Sequence, residues 1–227
     1  MIGPSDLPGL RRSLGIGLAL LLLAPAAGAM EAAAAALAER LGALERLHGR
    51  FEQSLLDGRG VLLQHASGAF WADRPDRFRW ETEAPFPEVL VGDGETIWLW
   101  DPDLEQVTIR PWDERLEGTP ARLLSGAPEE LVQGFEVTLL EDDGARAAFS
   151  LRPLAEDGLF ERLEIVFEKT LPTRLVIHDG LGQRTEVTLR DVTTRFETDP
   201  DRYRFEIPEG ADVIRDPAVP PAPADDD

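Results

Sequence analysis

The stretch SGAFWADRPDRFRWETEAPFPEVLVGDGETIWLWDPDLEQVT, residues 67–108, decides the fold because apolar and polar side chains alternate along most of it. Within it, Phe78 and Trp80 fall on one face of an extended chain, and the charged residues between them fall on the other. The dipeptide Asp93-Gly94 separates two apolar runs and can supply the positive φ of a tight hairpin turn. The stretch therefore predicts antiparallel strands joined by short turns.

The same period of two returns in the second half of the chain and predicts six further strands. They are 135–140, 146–152, 160–168, 171–178, 182–191 and 203–207. An antiparallel sheet of about eleven strands is expected to curl, because neighbouring strands are twisted relative to one another. The pattern thus predicts a mainly β fold of the α+β class.

Two segments are predicted to be helical, and each has one apolar side. The first is 31–49, ending at Gly49. Its apolar stripe recurs every three or four residues and comprises Leu37, Leu41, Leu44 and Leu47. The second is 119–134, where Thr119 can cap a short helix whose apolar side contains Leu123 and Leu124. We expect both segments to cover the concave side of the curled sheet.

The N-terminal residues 1–29 resemble a secretory signal peptide. Two arginines precede an apolar run, and Ala27-Gly28-Ala29 fits the pattern recognised by signal peptidase. The alternative is a membrane anchor, which the short run and Pro25 disfavour. We therefore predict export, a single domain over 30–215, and a disordered, acidic, proline-rich tail over 216–227.

The composition and the absence of common catalytic motifs disfavour binding to nucleic acid or anionic membranes and disfavour enzyme activity. A formal net charge of −20 repels nucleic acid and anionic membranes. The sequence has no phosphate-binding loop, no G-x-S-x-G and no H-E-x-x-H, so no enzyme activity, cofactor or metal is predicted. A pair of catalytic carboxylates remains open among 43 acidic residues, although no pattern singles one out.

The five tryptophans all lie between residues 71 and 112, which concentrates bulky side chains in the central strands. They can simply fill a core between sheet and helix, which is the usual position of buried aromatic residues. Alternatively, they line a covered hollow that binds an apolar ligand. The pattern does not assign the faces of Trp98 and Trp100.

Several motifs closely resemble the outer-membrane lipoprotein carrier family, LolA. RPDRFRW at 74–80, GDGETIW at 92–98 and DPDLEQVT at 101–108 occur in the order and at the spacing of that family. Similarity extends to LHGRFEQ, GTPARLLSG and RFEIPEGADVI elsewhere in the chain. The absence of cysteine distinguishes the chain from the lipid-anchored acceptor of the same fold.

The resemblance implies an open half-barrel closed by a helical lid and working in the periplasm. Its cargo would be triacylated lipoproteins, received from the inner-membrane ABC transporter LolCDE and passed to the outer-membrane acceptor LolB. We expect a monomer with no nucleic-acid partner. A second possibility is a related lipid-sensing or lipoprotein-sensing module of envelope-stress signalling.

The resemblance also implies roles for individual residues. Arg74 matches an arginine that holds the lid closed, and its fork of donors suits carbonyl groups at helix ends. The cavity-wall positions correspond to Phe78, Trp80 and Leu90. The apolar lid positions correspond to Leu41, Leu44, Leu123 and Leu124. Arg122 stands where an apolar lid residue is common.

Overall fold

The structure, a computed structural model, describes residues 24–112, 119–155, 160–197 and 199–217. These contain twelve strands, three α-helices and one 3-10 helix. In chain order they are α1 (Ala24–Gly42), β1 (Arg46–Leu56), β2 (Leu62–Asp73), β3 (Arg77–Ala84), β4 (Glu88–Gly92), β5 (Thr96–Asp101), β6 (Gln106–Pro111), α2 (Pro120–Ser125), α3 (Pro128–Gln133), β7 (Phe135–Asp142), β8 (Arg146–Pro153), β9 (Arg162–Glu168), β10 (Leu171–His178), β11 (Arg184–Thr193), the 3-10 helix (Pro200–Tyr203) and β12 (Asp212–Arg215).

All twelve strands belong to one open sheet in the order β12-β6-β5-β4-β3-β2-β1-β11-β10-β9-β8-β7. Neighbours are antiparallel except β12, which pairs in parallel with β6. Strands β1–β6 form a first meander and strands β7–β11 form a second, and the pairing of β1 with β11 joins them into one sheet. The predicted mainly β, open antiparallel half-barrel is confirmed. The predicted strand at 203–207 is wrong, because the 3-10 helix ends at Tyr203 and the last strand begins at Asp212.

The helices cover one face of the sheet, here called the inner face. α1 packs on β7 and α3, while α2 packs on β2 and β3. Apolar side chains from these helices and from both meanders form one buried cluster. Its largest fully buried members are Phe51, Phe70, Phe149, Phe167, Leu37, Leu41, Leu47, Leu124, Leu151 and Leu163. This cluster contributes most of the apolar burial that holds helices and sheet together.

The first helix ends earlier than the leucine spacing predicts. It stops at Gly42 rather than Gly49, and β1 already begins at Arg46. Leu44 therefore lies in the connection, where its N–H donates to the Leu41 carbonyl at 3.0 Å. Pairing of β1 with β2 takes the following residues into the sheet, so tertiary pairing overrides the local helical pattern.

The predicted helical segment 119–134 is two short helices rather than one. Thr119 caps α2, since its side chain accepts a hydrogen bond from the backbone N–H of Arg122. Gly126 ends α2, and Pro128 begins α3 two residues later. Within the described residues, no helix combines the length and the apolar character needed to cross a bilayer.

The outer face of the sheet carries a cover of its own at β5 and β6. Trp98 stacks on Phe205, with ring centroids 6.4 Å apart. The buried side chains of Val107 and Ile109 pack against Trp98, Trp100 and Phe205. Trp98 and Trp100 therefore face away from the helices, which answers the question that the sequence leaves open. We call residues 199–215 the C-terminal strap.

Candidate functional site

The β2–β3 turn joins the sheet to both helical regions through one arginine. Arg74 Nε donates to the carbonyl of Leu44 at 3.0 Å, just beyond α1. Nη2 donates to the Leu123 carbonyl at 3.3 Å, and Nη1 donates to the Gly126 carbonyl at the end of α2. The backbone N–H of Arg74 also donates to the Glu45 carbonyl at 2.8 Å. One side chain thus ties α2 and the connection after α1 to the same turn.

The Arg74 guanidinium is part-buried yet remains charged at neutral pH. Burial lowers its pKa to about 10, while the carboxylates of Asp76 and Glu129 act in the opposite direction. Carbonyl groups at a helix end lack partners within the helix, so a charged fork of donors satisfies several of them together. The side chain therefore bonds carbonyl groups of both helical regions, and whether it acts as a latch belongs to the proposed function.

A second set of contacts joins the same turn to α2. The backbone N–H of Asp76 donates to the Ser125 carbonyl at 2.8 Å, and its carboxylate forms an ion pair with Arg122. The Arg122 guanidinium lies over the ring of Trp112, 5.2 Å from its centroid. Burial raises the pKa of the Asp76 carboxyl, although the Arg122 guanidinium opposes that change. This carboxylate is therefore desolvated where it meets the helix.

The three predicted wall residues lie side by side on the inner face. Phe78 pairs with Gly92, and Trp80 pairs with Leu90, so all of their side chains share one side of β3 and β4. Phe78 is 1% exposed, and its ring lies 5.6 Å from that of Trp112. A Cβ on Gly92 would come within 2.5 Å of the Phe78 ring, so glycine leaves the space that this ring occupies.

Trp80 extends the wall toward the centre of the sheet. Its ring centroid lies 4.2 Å from that of Phe51 and 5.5 Å from that of Phe70, with both pairs stacked. Both phenylalanines belong to the cluster beneath the helices. The wall is thus continuous with the surface that the helices cover.

The predicted lid residues all pack into that cluster. Leu41, Leu44, Leu123 and Leu124 are each at most 3% exposed. Leu44 takes part from the connection after α1, not from the helix itself. A gap of about 30 Å³ lies beside Leu123 and Leu131 at the junction of α2 and α3. That is space for roughly two water molecules. The leucines therefore occupy the inner face of the sheet in this structure.

Two larger grooves open at the margins of the helices. One of about 450 Å³ lies beside Arg74, and six of its ten lining residues are charged. The other, of about 440 Å³, lies between α1 and β7 and has mainly apolar walls that include Met30 and Leu139. In the part of the chain that the structure describes, no group of three or more histidine, aspartate or glutamate residues is placed to hold a metal ion.

Sequence reasoning missed Asp76 and Trp112 as parts of this site and treated Arg122 only as a departure from an apolar pattern. The signal was present in part, because Asp76 follows Arg74 by two residues in the same predicted turn. The partner of that carboxylate lies 46 residues further along the chain, and no local pattern indicates the pairing.

Fold and site together define an open half-barrel whose apolar inner face is covered by helices latched to one turn. The family described as "Outer membrane lipoprotein carrier protein LolA" matches residues 43–206. The chain belongs to this LolA family.

Individual relatives agree with the family match. An outer-membrane lipoprotein carrier protein of Chromohalobacter salexigens is 43% identical over 204 residues, covering 90% of this chain and 96% of the relative. One from Azotobacter vinelandii is 42% identical over 180 residues, covering 79% of this chain and 86% of the relative. An uncharacterised conserved protein from Thermus thermophilus shares the fold at 14% identity, with a TM-score of 0.54, over 81% of this chain and 99% of that structure.

Proposed function

We propose that the chain is a periplasmic chaperone that binds the acyl chains of lipoproteins and carries them from the inner membrane to an outer-membrane acceptor. Family membership and the names of relatives at about 40% identity support this function. The single observation that carries it is structural. An extensive apolar inner face is covered by helices, and one turn of the sheet holds α2 and the connection after α1 through polar contacts.

The thermodynamic need for a carrier follows from the cargo. Each acyl methylene that leaves water for an apolar site gains about 0.8 kcal/mol. Three acyl chains exposed in the periplasm would therefore cost on the order of tens of kcal/mol. A protein that covers them must offer an apolar surface of comparable extent, and the inner face is the surface of this chain that fits.

Loading requires the helices to move. Leucines from α1, α2 and the connection after α1 occupy the inner face in the closed form. Cargo must replace those contacts, so acyl chains and helices compete for one surface and binding shifts the population toward an open form. In this scheme the latch at Arg74 sets the balance between the two forms.

The residue roles follow from these positions. Arg74 is the latch, because it reaches both helical regions. Phe78, Trp80 and Leu90 form the wall that receives acyl chains. The remaining proposed residues form the apolar side of the lid and are Leu41, Leu44, Leu123 and Leu124.

The partners and location are part of the same proposal. Triacylated lipoproteins are loaded by the transporter LolCDE and delivered to LolB. Export depends on a signal peptide over residues 1–29, of which 1–23 lie outside the described residues. α1 begins at Ala24, so cleavage after Ala29 would shorten this helix from its N-terminus. N-terminal sequencing of the exported protein tests that boundary. The domain limits 30–215 and 216–227 stay predictions.

The experiment that tests the function is release of a radiolabelled lipoprotein from spheroplasts with and without the purified protein. We expect a soluble complex only when the protein is added. Phe78→Glu should abolish release, because it would place a carboxylate on the apolar inner face. The control is Leu104→Glu, which adds the same charge at a side chain that is 68% exposed. If the unaltered protein yields no soluble complex, the proposed function is wrong.

A further inference from the structure

Arg122 is an unusual member of α2, because this short helix buries most of its side chains. Ala121, Leu123, Leu124 and Ser125 are all buried. The Arg122 side chain is only 18% exposed, so it is not a solvated surface arginine. A charge held at a helix–sheet junction needs partners to offset the loss of water.

The chain supplies those partners from two different elements. Asp76 belongs to the β2–β3 turn, and its carboxylate pairs with the Arg122 guanidinium. Trp112 follows β6 and presents its ring to the same guanidinium at 5.2 Å. A third acidic group, Glu130, lies 3.9 Å away, but its side chain is 71% exposed and contributes little.

These contacts differ in kind from those of the Arg74 latch, although the Asp76 carboxylate also acts electrostatically on the Arg74 guanidinium. Arg74 donates to backbone carbonyls, which any residue sequence of α2 would present. Arg122 instead pairs side chain with side chain, so this contact depends on the residue present in α2. Both arginines join α2 to the β2–β3 turn. Arg74 reaches from the turn to the helix, and Arg122 reaches from the helix to the turn.

The second set also reaches the cavity wall. The Trp112 ring that lies beneath Arg122 is 5.6 Å from the ring of Phe78. The Phe78 ring in turn lies across Gly92 on the inner face. A continuous row of contacts therefore runs from the wall through Trp112 to Arg122 and ends at Asp76.

From this geometry we infer that Arg122, Asp76 and Trp112 form a second latch that holds α2 closed over the inner face. This inference rests on the proposed function, because it assumes that α2 opens to admit an apolar ligand. Arg122 acts as a positioning residue through Asp76 and Trp112, and it need not touch cargo.

The test is a double-mutant cycle on binding of the fluorescent apolar probe bis-ANS to the full chain. The apparent affinity of the probe rises with the fraction of protein whose inner face is accessible. Asp76→Asn and Arg122→Gln should each tighten probe binding by roughly 5-fold, an effect typical of a coupled pair. The double variant should bind no more tightly than Arg122→Gln alone, which loses the contacts with both Asp76 and Trp112. If the affinity change of the double variant equals the product of the two single changes, the inference is overturned. It is also overturned if both single variants bind the probe like the unaltered protein.

The variants are chosen to preserve the fold. Asp76 has a φ of +63°, and asparagine is among the residues that tolerate this backbone conformation best. Arg122→Lys keeps the charge but loses the planar fork and its stacking on Trp112, so an intermediate affinity is expected. If Arg122→Gln fails to fold, the cycle is completed with Arg122→Lys, and full additivity with Asp76→Asn overturns the inference equally.

A matched control separates the latch from a general charge effect on the anionic probe. Arg146→Gln breaks an exposed ion pair with Glu141 on the β7–β8 hairpin, where both side chains are 43% exposed. It should leave probe affinity unchanged, and a change equal to that of Arg122→Gln would overturn the inference. The bis-ANS assay contains no lipoprotein, so a negative result there would not contradict the carrier function. Conversely, a negative result in lipoprotein release would not change a coupling measured between Asp76 and Arg122.

Discussion

Replacing Arg74 with leucine should shift the lid strongly toward its open form. The arginine donates three hydrogen bonds to the carbonyls of Leu44, Leu123 and Gly126. A hydrogen bond from a charged donor contributes about 1.5–3 kcal/mol, so three would contribute roughly 5–9 kcal/mol if they were additive.

Burial of the guanidinium offsets part of that gain. The pKa of Arg74 falls from an ordinary value of 12.5 to about 10. At about 1.4 kcal/mol for each pH unit, this lowering corresponds to a net cost of roughly 3.5 kcal/mol for keeping the guanidinium charged. The latch then favours closure by about 1.5–5.5 kcal/mol, and its loss should raise the open fraction by at least about 10-fold.

The assay has two measurements on one protein preparation. Binding of bis-ANS reports access to the inner face and should tighten in Arg74→Leu. Transfer of a loaded lipoprotein to the acceptor should slow at least about 10-fold, because the closed helices no longer compete effectively with the acyl chains. The control is Arg50→Leu, which removes an exposed arginine paired with Glu83. If Arg74→Leu transfers lipoprotein at the normal rate and binds the probe normally, the latch reasoning is refuted.

Three further changes test other contacts. Gly92→Ala places a Cβ against the Phe78 ring and should lower the free energy of unfolding by about 1–3 kcal/mol, measured by denaturant titration. An unchanged midpoint would mean that the Phe78 ring moves aside without cost. Thr119→Ala removes the cap of α2 and should cost about 1 kcal/mol, seen as faster amide exchange in this helix but not in β9. Trp98→Ala removes the stack on Phe205 and should therefore make the C-terminal strap more sensitive to proteolysis, while the affinity for bis-ANS stays constant. A lower affinity for bis-ANS would instead place Trp98 in the cavity wall.

The strands could be predicted from the sequence because one face of each is buried. Alternation at 67–108 and in the second meander fixes which side chains meet the core, and the observed pairings follow it. The end of α1 could not be predicted in the same way. Leu44 and Leu47 suit a helical stripe equally well, but Leu47 pairs with Ala72 in the sheet and Leu44 lies in the connection that leads to β1.

The polar contacts of the site were harder to predict from the sequence than its apolar residues. Family motifs indicate Arg74, and periodicity indicates Phe78 and Trp80. The pairing of Asp76 with Arg122 joins a turn to a helix across 46 residues, so it depends on how α2 is packed. The faces of Trp98 and Trp100 also depended on tertiary structure, because nothing local shows that Phe205 returns to cover β5.

The buried leucines of the helices explain how a carrier of this kind can release a cargo that water strongly rejects. Full burial of one leucine gains about 1.5–3 kcal/mol, so several leucines together recover a considerable part of what departing acyl chains give up. Leu41, Leu123 and Leu124 are buried against the inner face in this structure. In the proposed scheme, the helices act as an internal competitor for the surface that cargo uses. A carrier with the same wall and no such helices would hold acyl chains more tightly, and it would expose an apolar patch large enough to aggregate after release.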